Sequence, residues 1–579
     1  MSNEKNNRLD TLRHSCAHLL AAAILEMFPE AKLGVGPAVD NGFYYDFDLP
    51  RTLIPEDLPL IEEKMKALIK QDLPFEKEEV ELNKAKELLE KAGQDYKLEL
   101  VKDLPADEIT FYKTGNFVDL CKGPHIKSTK ELENAGWKLT KIAGAYWRGS
   151  EENKMLQRIY GACFQTKDEL KQYEEMMIEA EKRDHRKLGK ELDLFVFSDL
   201  VGPGLPLYTP KGTIIKDELQ KKVEKICRQY GFQKVSCPSL AKIDLFKISG
   251  HADKFGDELF RVSSQGGLNF VLKPVQCPHQ TQIYASKMRS YKDLPIRYME
   301  SDKQYRAEKT GEVGGLSRVF AITVEDGHSF CRIDQVKEEV MNMVKIIKDF
   351  YSEIGMWGNH KVSLSVRDYD HPEKYIGTKE DWDHAERMLE EISNEMELGA
   401  IKHEGEAALY GPKLDFMFKD AMGRDVQIPT VQLDFATPKR FELTYTDENN
   451  ESISPVMVHR AILGSYERFI ALLIEHFAGA FPFWLSPTQI TIIPVAEVHN
   501  EYAKKVAKEL AAFRVEIDSR NESLGKRIRE AEIKKTPYTI VLGDKEENDQ
   551  TITIRTRGTK ELVTQKISEL IEILDEKTC

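Results

Sequence analysis

Four charged residues in two distant stretches have the types and spacing to grip a polyphosphate. The stretch "YRAEKTGEVGGLSRV" places Arg306 and Glu308 two apart, which puts them on one face of an expected strand. A glycine-containing loop follows, with Arg318 on the expected returning strand. Far downstream, "VHRAILGSYERF" is expected to open a helix with Arg468 inside it. Three arginines aimed at one cleft suit a triphosphate, because guanidinium is permanently charged and forks onto phosphate oxygens. For any one arginine taken alone, a surface ion pair is the commoner fate.

Sulfur and imidazole form a second set. In "RHSCAH", His14 and His18 stand at i and i+4 on a helix face, and "VDLCKGPH" adds Asp119, Cys121 and His125. A His pair with Cys-x3-His invites a zinc reading. The zinc-protease motif needs Glu after its first His, and Ser15 stands there instead, so protease chemistry is disfavoured. Elsewhere "VQCPHQTQ" holds a lone Cys277 before Pro278 and His279. An isolated cysteine is more often a small buried hydrophobe than a ligand, and spacing alone leaves open whether Cys277 has distant partners.

These residues need a sizeable scaffold. The chain has 579 residues, 41% hydrophobic and 31% charged, with a formal net charge of −14. That fits two to four folded domains, and does not exclude local basic patches on one of them. Eight cysteines are scattered with no CxxC pair, which argues against a disulfide framework and for a reducing compartment. "MSNEKNNRLD" has no apolar leader character, and the most apolar run, "RFIALLIEHFAGAFPFWL", is broken by Glu475, His476 and Pro482. A cytoplasmic location with no membrane contact is expected.

Three regions position the residues. Up to about 165, short strands, helices and Gly-rich turns mix, as an α+β domain would. The charged "TKDELKQYEEMMIEAEKRDHRKLGKELDLF" reads as one connecting helix. From about 190 to 482, a strong helix, "KGTIIKDELQKKVEKICRQYGF", ends at Gly231. Strand-like runs "LNFVLKP", "IRYMESDKQYR", "SRVFAITVED" and "LDFMFKDAMGRDVQIPTVQLDFA" then connect through short Gly turns, the mark of an antiparallel sheet. Helices are expected near 335–355 and 381–397. After "FPFWLSPTQ", strands alternate with amphipathic helices, which predicts a small α/β domain with a mixed sheet.

Taken together these stretches resemble class II aminoacyl-tRNA synthetases. "VSCPSLAKIDLFKISGH", with Pro238, is similar to motif 1, "YRAEKTG" with Arg318 to motif 2, and "GSYERF" to motif 3. The finer text "KPVQCPHQTQIY", "LYGPKLDF", "IPTVQLDF" and "VMVHRAILGSYERF" resembles the threonyl-tRNA synthetase family, over nearly the whole chain. The resemblance implies an editing domain at 1–167, a linker helix at 168–189, a class II catalytic core at 190–482 and an anticodon-binding domain at 483–579. It implies ATP with Mg²⁺, L-threonine and tRNA(Thr) as partners, and a homodimer built on motif 1.

Roles follow by resemblance, residue by residue. Arg306 would grip the α-phosphate, Glu308 the adenine amino group, and Arg318 and Arg468 the γ-phosphate end. Gln427, Gln432, Tyr410 and Lys413 would line the ATP and amino-acid pocket, with Arg306, Arg468 and Lys413 as the catalytic cations. The family pairs Cys277 with His328 and His459 as ligands of one zinc ion, and gives Asp326 the amino group of threonine. An apolar pocket separates threonine from valine by only ~10²-fold, whereas a zinc ion that takes the hydroxyl asks for it directly. Serine also has that hydroxyl, and its missing methyl is worth ~1–3 kcal/mol, so a second sieve is expected. His14, His18, Asp119, Cys121 and His125 resemble the family's site for hydrolysis of seryl-tRNA, with metal use left open there. Asn521, Glu546 and Arg555 sit where the family contacts anticodon bases, while Lys526, Arg527 and Arg529 are expected to meet phosphate or water.

Two departures are visible. Bacterial members often carry a further small ubiquitin-like domain of about 60 residues, and here "RHSCAHLLA" comes almost at once, so the chain is expected to lack it. Where the family usually reads arginine, glycine, phenylalanine and glutamine, this chain has Phe320, Ala321, Ile322 and Val324. The family's phenylalanine stacks on adenine, so Ile322 is expected to pack against the ring unless Phe320 substitutes. Those changes are the one support for an alternative reading, a synthetase-derived RNA-binding or regulatory protein without catalysis.

Overall fold

The computed structural model describes residues 2–105, 109–309, 311–358 and 360–577, with side chains from residue 7 onward, so Cys579 lies outside the described residues. The chain divides into two compact units, Met1–Ile178 and Glu179–Cys579.

In the first unit, the helix Ser2–Met27 contains no Gly or Pro and carries the run from Cys16 to Ile24 almost wholly buried. It packs on a five-stranded sheet whose central strands are Gly42–Asp48 and Met155–Phe164, with Gly136–Tyr146 at one edge. A smaller antiparallel sheet, Glu76–Glu79, Thr110–Thr114 and Phe117–Leu120, delivers Asp119 and Cys121 toward the same helix.

The second unit is built on an eight-stranded sheet. Its order is Gln233–Lys234, Ile296–Tyr305, Ala321–Cys331, Val456–Ser465, Asp425–Asp434, Lys413–Lys419, His360–Val366, Ile401–Glu404. The six inner strands are antiparallel, and only the two edge strands join in parallel. Helices Pro210–Gln229, Val336–Glu353, Lys379–Glu395 and Tyr466–His476 cover one face and share the largest apolar core with it. Period-two alternation then turns the other face into a floor of functional groups. Ile322, Val324, Asp326 and His328 come from one strand, Thr430 and Gln432 from a second, and His459, Ala461 and Leu463 from the strand between them.

Residues from Gln489 onward form a mixed five-stranded sheet in the order Val515–Ile517, Ile490–Pro494, Tyr538–Leu542, Ile552–Thr556, Leu562–Gln565. Helices Asn500–Glu509, Leu524–Ile533 and Ile567–Asp575 accompany it, the α/β pattern expected from the alternating text.

Three local expectations are corrected. The strand Ile296–Tyr305 ends one residue before Arg306, and Arg318 precedes the returning strand Ala321–Cys331, so Arg306 and Glu308 share no strand face. The text "VMVHRAILGS" is a ten-residue strand, because its aliphatic run is buried on both sides. The helix carrying Arg468 begins only at Tyr466, after Ser465 caps it by accepting the Arg468 N–H at 3.2 Å. The connecting helix is two helices, Lys167–Arg183 and His185–Glu191. Asp184 breaks them, its side chain capping the second by accepting the Arg186 N–H at 2.8 Å.

Candidate functional site

The strand Ala321–Cys331 pairs with Val456–Ser465 in a register that sets His328 directly opposite His459. The two rings meet edge to face, 4.7 Å between centres. Cys277 opens the helix Cys277–Ala285 above them, and one ligand atom from each of the three lies within 4.8 Å of the others, all buried. Hydrogen bonds fix both tautomers. His328 Nδ1 donates to Gln280 Oε1 at 2.8 Å, and His459 Nε2 donates to Asp434 Oδ2 at 2.9 Å. Each imidazole so keeps its other nitrogen as a lone-pair donor, the arrangement that orients histidines on a metal. One thiol and two such imidazoles fit a divalent metal of zinc type with an open position. Burial pushes the Cys277 thiol well up, the cost a metal would offset by replacing its proton.

Around this set opens a cleft of about 500 Å³. Asp326 lines it, held by Gln304 Nε2 at 2.9 Å, and burial followed by the neighbouring Glu325 charge pushes its carboxyl up to about 7. Tyr410 stacks on His459 at 4.5 Å and donates to Gln432 Oε1 at 2.6 Å. Gln427 donates to Asp415 Oδ1 at 2.6 Å, beside Thr430 at 2.7 Å.

Arg306, Arg318 and Arg468 all line this cleft, although they come from the two ends of one loop and from a distant helix. Arg306 lies over the Phe255 ring, 4.9 Å from its centre, and its Nε donates to the Pro274 carbonyl at 3.3 Å. Arg318 pairs with Glu308 at 2.7 Å and Glu312 at 2.8 Å. Desolvation, then repulsion from Arg318 and Arg424, lowers the Arg468 pKa, and among the described residues no carboxylate is paired with it. Such a group gains most from an arriving anion. Lys413 stands apart from the others. It does not line the cleft, and its ammonium is held by Asp415 at 2.7 Å. Ile322 and Val324 line the wall, whereas Phe320 turns away to pack edge-on against Phe260, 6.1 Å between centres.

In the first unit, Cys121 Sγ lies 3.3 Å from His14 Nε2 and 3.2 Å from His125 Nε2. His18 sits in the same nest, its ring tilted to that of His125 at 4.6 Å between centres, and its buried Nε2 has no hydrogen-bond partner among the described residues. Burial lowers the pKa of His14, His18 and His125, the last to about 2, and raises Cys121 to about 11. The cluster so consists of neutral imidazoles and a protonated thiol. Asp119 sits behind it, bonded to Lys97 at 2.8 Å and Tyr45 at 2.6 Å, all three buried. Sequence reasoning missed Lys97 and Tyr45, which no motif marks.

The three carboxy-terminal candidates are not gathered at one place: Glu546 follows the end of strand Tyr538–Leu542, whereas Arg555 pairs with Thr539 near its start. Asn521 is exposed in a loop, Glu546 is bound by Thr553 at 2.7 Å and the Gly543 N–H at 2.9 Å, and Arg555 pairs with Glu532 at 2.6 Å. Arg527 departs from expectation. It is buried and donates to the Pro494 and Asp518 carbonyls at 2.8 and 2.9 Å, so it braces the domain instead of facing phosphate. Among the described residues no helix is long and apolar enough to cross a membrane.

Family models agree with this layout. A "tRNA synthetase class II core domain (G, H, P, S and T)" matches residues 260–477 and an "Anticodon binding domain" residues 489–577. A "Threonyl and Alanyl tRNA synthetase second additional domain" matches residues 109–160. The threonine–tRNA ligase of Gloeobacter violaceus is 45% identical over 580 residues, spanning 98% of this chain and 92% of its own length. That of Halalkalibacterium halodurans is 45% identical over 574 residues, spanning 98% and 88%. Among solved structures, the RNA binding domain of threonyl-tRNA synthetase from Cryptosporidium parvum matches with a TM-score of 0.64 at 33% identity, over 68% of this chain and 98% of that one. A prolyl-tRNA synthetase from the same organism shares the fold, with a TM-score of 0.51 at 16% identity over 68% and 75%. With three arginines, Cys277, His328 and His459 lining one cleft, and with these relatives, the chain belongs to the threonyl-tRNA synthetase family of class II aminoacyl-tRNA synthetases.

Proposed function

We propose that the protein activates L-threonine with ATP and esterifies it to tRNA(Thr), as a cytoplasmic homodimer. The observation that carries this reading is one cleft lined by three guanidiniums together with Cys277, His328, His459 and Asp326. The carboxylate of threonine attacks the α-phosphorus of ATP and pyrophosphate leaves. A terminal ribose hydroxyl of the tRNA then attacks the acyl carbon and AMP leaves. Arg306, braced on Phe255, stabilises charge at the α-phosphate, and Arg318 and Arg468 hold the far phosphates with Mg²⁺ as their counter-ion. Glu308 and Ile322 take adenine, by hydrogen bond and by packing. Gln427, Gln432 and Tyr410 shape the wall, and Lys413 acts from behind it through Asp415. Asp326 takes the amino group of threonine.

A zinc ion on Cys277, His328 and His459 would supply a Lewis acid for the amino and hydroxyl groups of threonine, which valine cannot match. Serine, which meets the same demand, calls for hydrolysis at His14, His18, Asp119, Cys121 and His125. Asn521, Glu546 and Arg555 are assigned to the anticodon. The functional division is 1–167 editing, 168–189 linker, 190–482 catalysis and 483–579 anticodon binding. The regulatory alternative is not favoured, since Arg306, Arg318 and Arg468 and the set of Cys277, His328 and His459 all line the cleft despite the changes at Phe320–Val324.

Amino-acid-dependent pyrophosphate exchange with threonine, serine, valine and proline tests the reading. Exchange with threonine and weakly with serine is expected, and none with any of the four would sink it. In the His14→Ala/His18→Ala double variant seryl-tRNA(Thr) should accumulate; a chain that still clears it places hydrolysis elsewhere.

A further inference from the structure

His185 carries no role in the reading above, yet it is buried between the two elements that present Arg318 and Arg468. Its Nε2 accepts the backbone N–H of Leu316 at 3.1 Å. Its Nδ1 must then bear the proton, and it donates to Glu475 Oε1 at 2.7 Å. Leu316 lies in the tight loop closed by Gly314 and Arg318, whose backbones pair with each other. Glu475 lies two turns beyond Arg468 on the helix Tyr466–His476. Gly315 has a left-handed backbone (φ 52°), and a Cβ there would run into His185 Nε2, so the loop is seated directly on the imidazole. Arg183 adds a bond from its Nη1 to the His476 carbonyl at 3.3 Å, tying the same segment to the end of that helix.

We propose that His185 is a positioning residue for ATP: its imidazole brackets the Arg318 loop to the Arg468 helix and sets the separation of the two guanidiniums. This rests on the reading of the cleft as the ATP site. One imidazole suits the task because it is a rigid spacer with a donor on one edge and an acceptor on the other. Without it, the Leu316 N–H and the Glu475 carboxylate each lose a partner, and the loop can relax away from the helix. Neither the metal ligands nor Asp326 touch this bracket, so threonine should not sense its loss.

The test is equilibrium binding of MgATP, and separately of threonine, to the full zinc-loaded chain by calorimetry, with melting temperature followed in parallel. His185→Ala is expected to weaken ATP by about tenfold, the worth of one hydrogen bond of about 1.4 kcal/mol, while threonine affinity stays within about twofold. His185→Gln is expected to recover most of the loss, because its amide can accept from Leu316 and donate to Glu475. Glu475→Leu should resemble His185→Ala. Equal losses for ATP and threonine, an ATP loss that His185→Gln does not restore, or no ATP loss in His185→Ala would each overturn the bracket. Wild-type protein that binds threonine but not ATP would overturn the cleft reading, and the bracket with it.

Discussion

At the scale of single residues, the groups that orient the candidate metal ligands are as informative as the candidates themselves. Asp434 and Gln280 decide which nitrogen of His459 and His328 faces the thiol of Cys277. Removing such a partner typically costs 10–100-fold in metal affinity. Asp434→Asn should therefore lower zinc affinity by about that range in a competition titration with a chromophoric chelator, and raise the threonine KM in exchange assays more than the ATP KM. An unchanged zinc affinity would show that Asp434 only packs. Neither partner was legible in the text. Gln280 is one helical turn from Cys277 and Asp434 two residues beyond Gln432, but only the folded sheet shows which histidine each one meets. Cys277 itself was legible through the surrounding motifs and not through spacing, since it opens a helix while His328 and His459 lie on two distant strands.

At the scale of elements, the central sheet holds a buried ion pair that aligns two of its strands. Arg460 makes two bonds to Glu325 at 2.7 and 3.0 Å across the pair Ala321–Cys331 and Val456–Ser465, on the face opposite His328 and His459. Arg460→Met leaves Glu325 buried without a partner, which costs on the order of 3–5 kcal/mol. The urea midpoint should fall accordingly, and the double variant with Glu325→Leu should regain much of the loss. If the double variant is no better than the single one, the pair is not the cause. Most of the strands and helices of this unit could be read from alternation and capping. The errors fall where a buried aliphatic run, "VMVHRAILGS", has no alternation to distinguish strand from helix, and where Asp184 interrupts a periodic charged helix. Arg527 was misread for a related reason. Helix text gives the period of a face but not what covers it.

At the scale of the whole molecule, many buried histidines make the fold sensitive to acid. Burial, then the nearby Lys254, lowers His251 to about 3 from its ordinary 6.5. Below pH 6.5 the unfolded chain takes up a proton that the folded chain refuses, so stability is lost as pH falls from about 6.5 toward 3. This residue alone should give a slope approaching one proton in that window. His251→Gln should flatten the dependence of the urea midpoint between pH 6.5 and 5; an identical slope in the variant would assign the sensitivity to other groups. A zinc ion on Cys277, His328 and His459 would work in the opposite sense. Its binding would favour the folded chain by mass action, so adding chelator should lower the melting temperature of the Glu179–Cys579 unit. A melting temperature indifferent to chelator would mean that no metal binds the folded chain in preference to the unfolded one.

The direct pairing of His328 with His459 has a consequence for how the sheet is made. Side chains alternate along a strand, so a slip of one residue would offer Gly327 or Ser329 in place of His328 and turn the imidazole to the other face. Only the correctly aligned ladder can present the full donor set. Metal uptake at this set would thereby be an assembly checkpoint: a newly made chain that captured zinc would already have matched two strands that lie more than a hundred residues apart in the text, and zinc retention during refolding would read out that match.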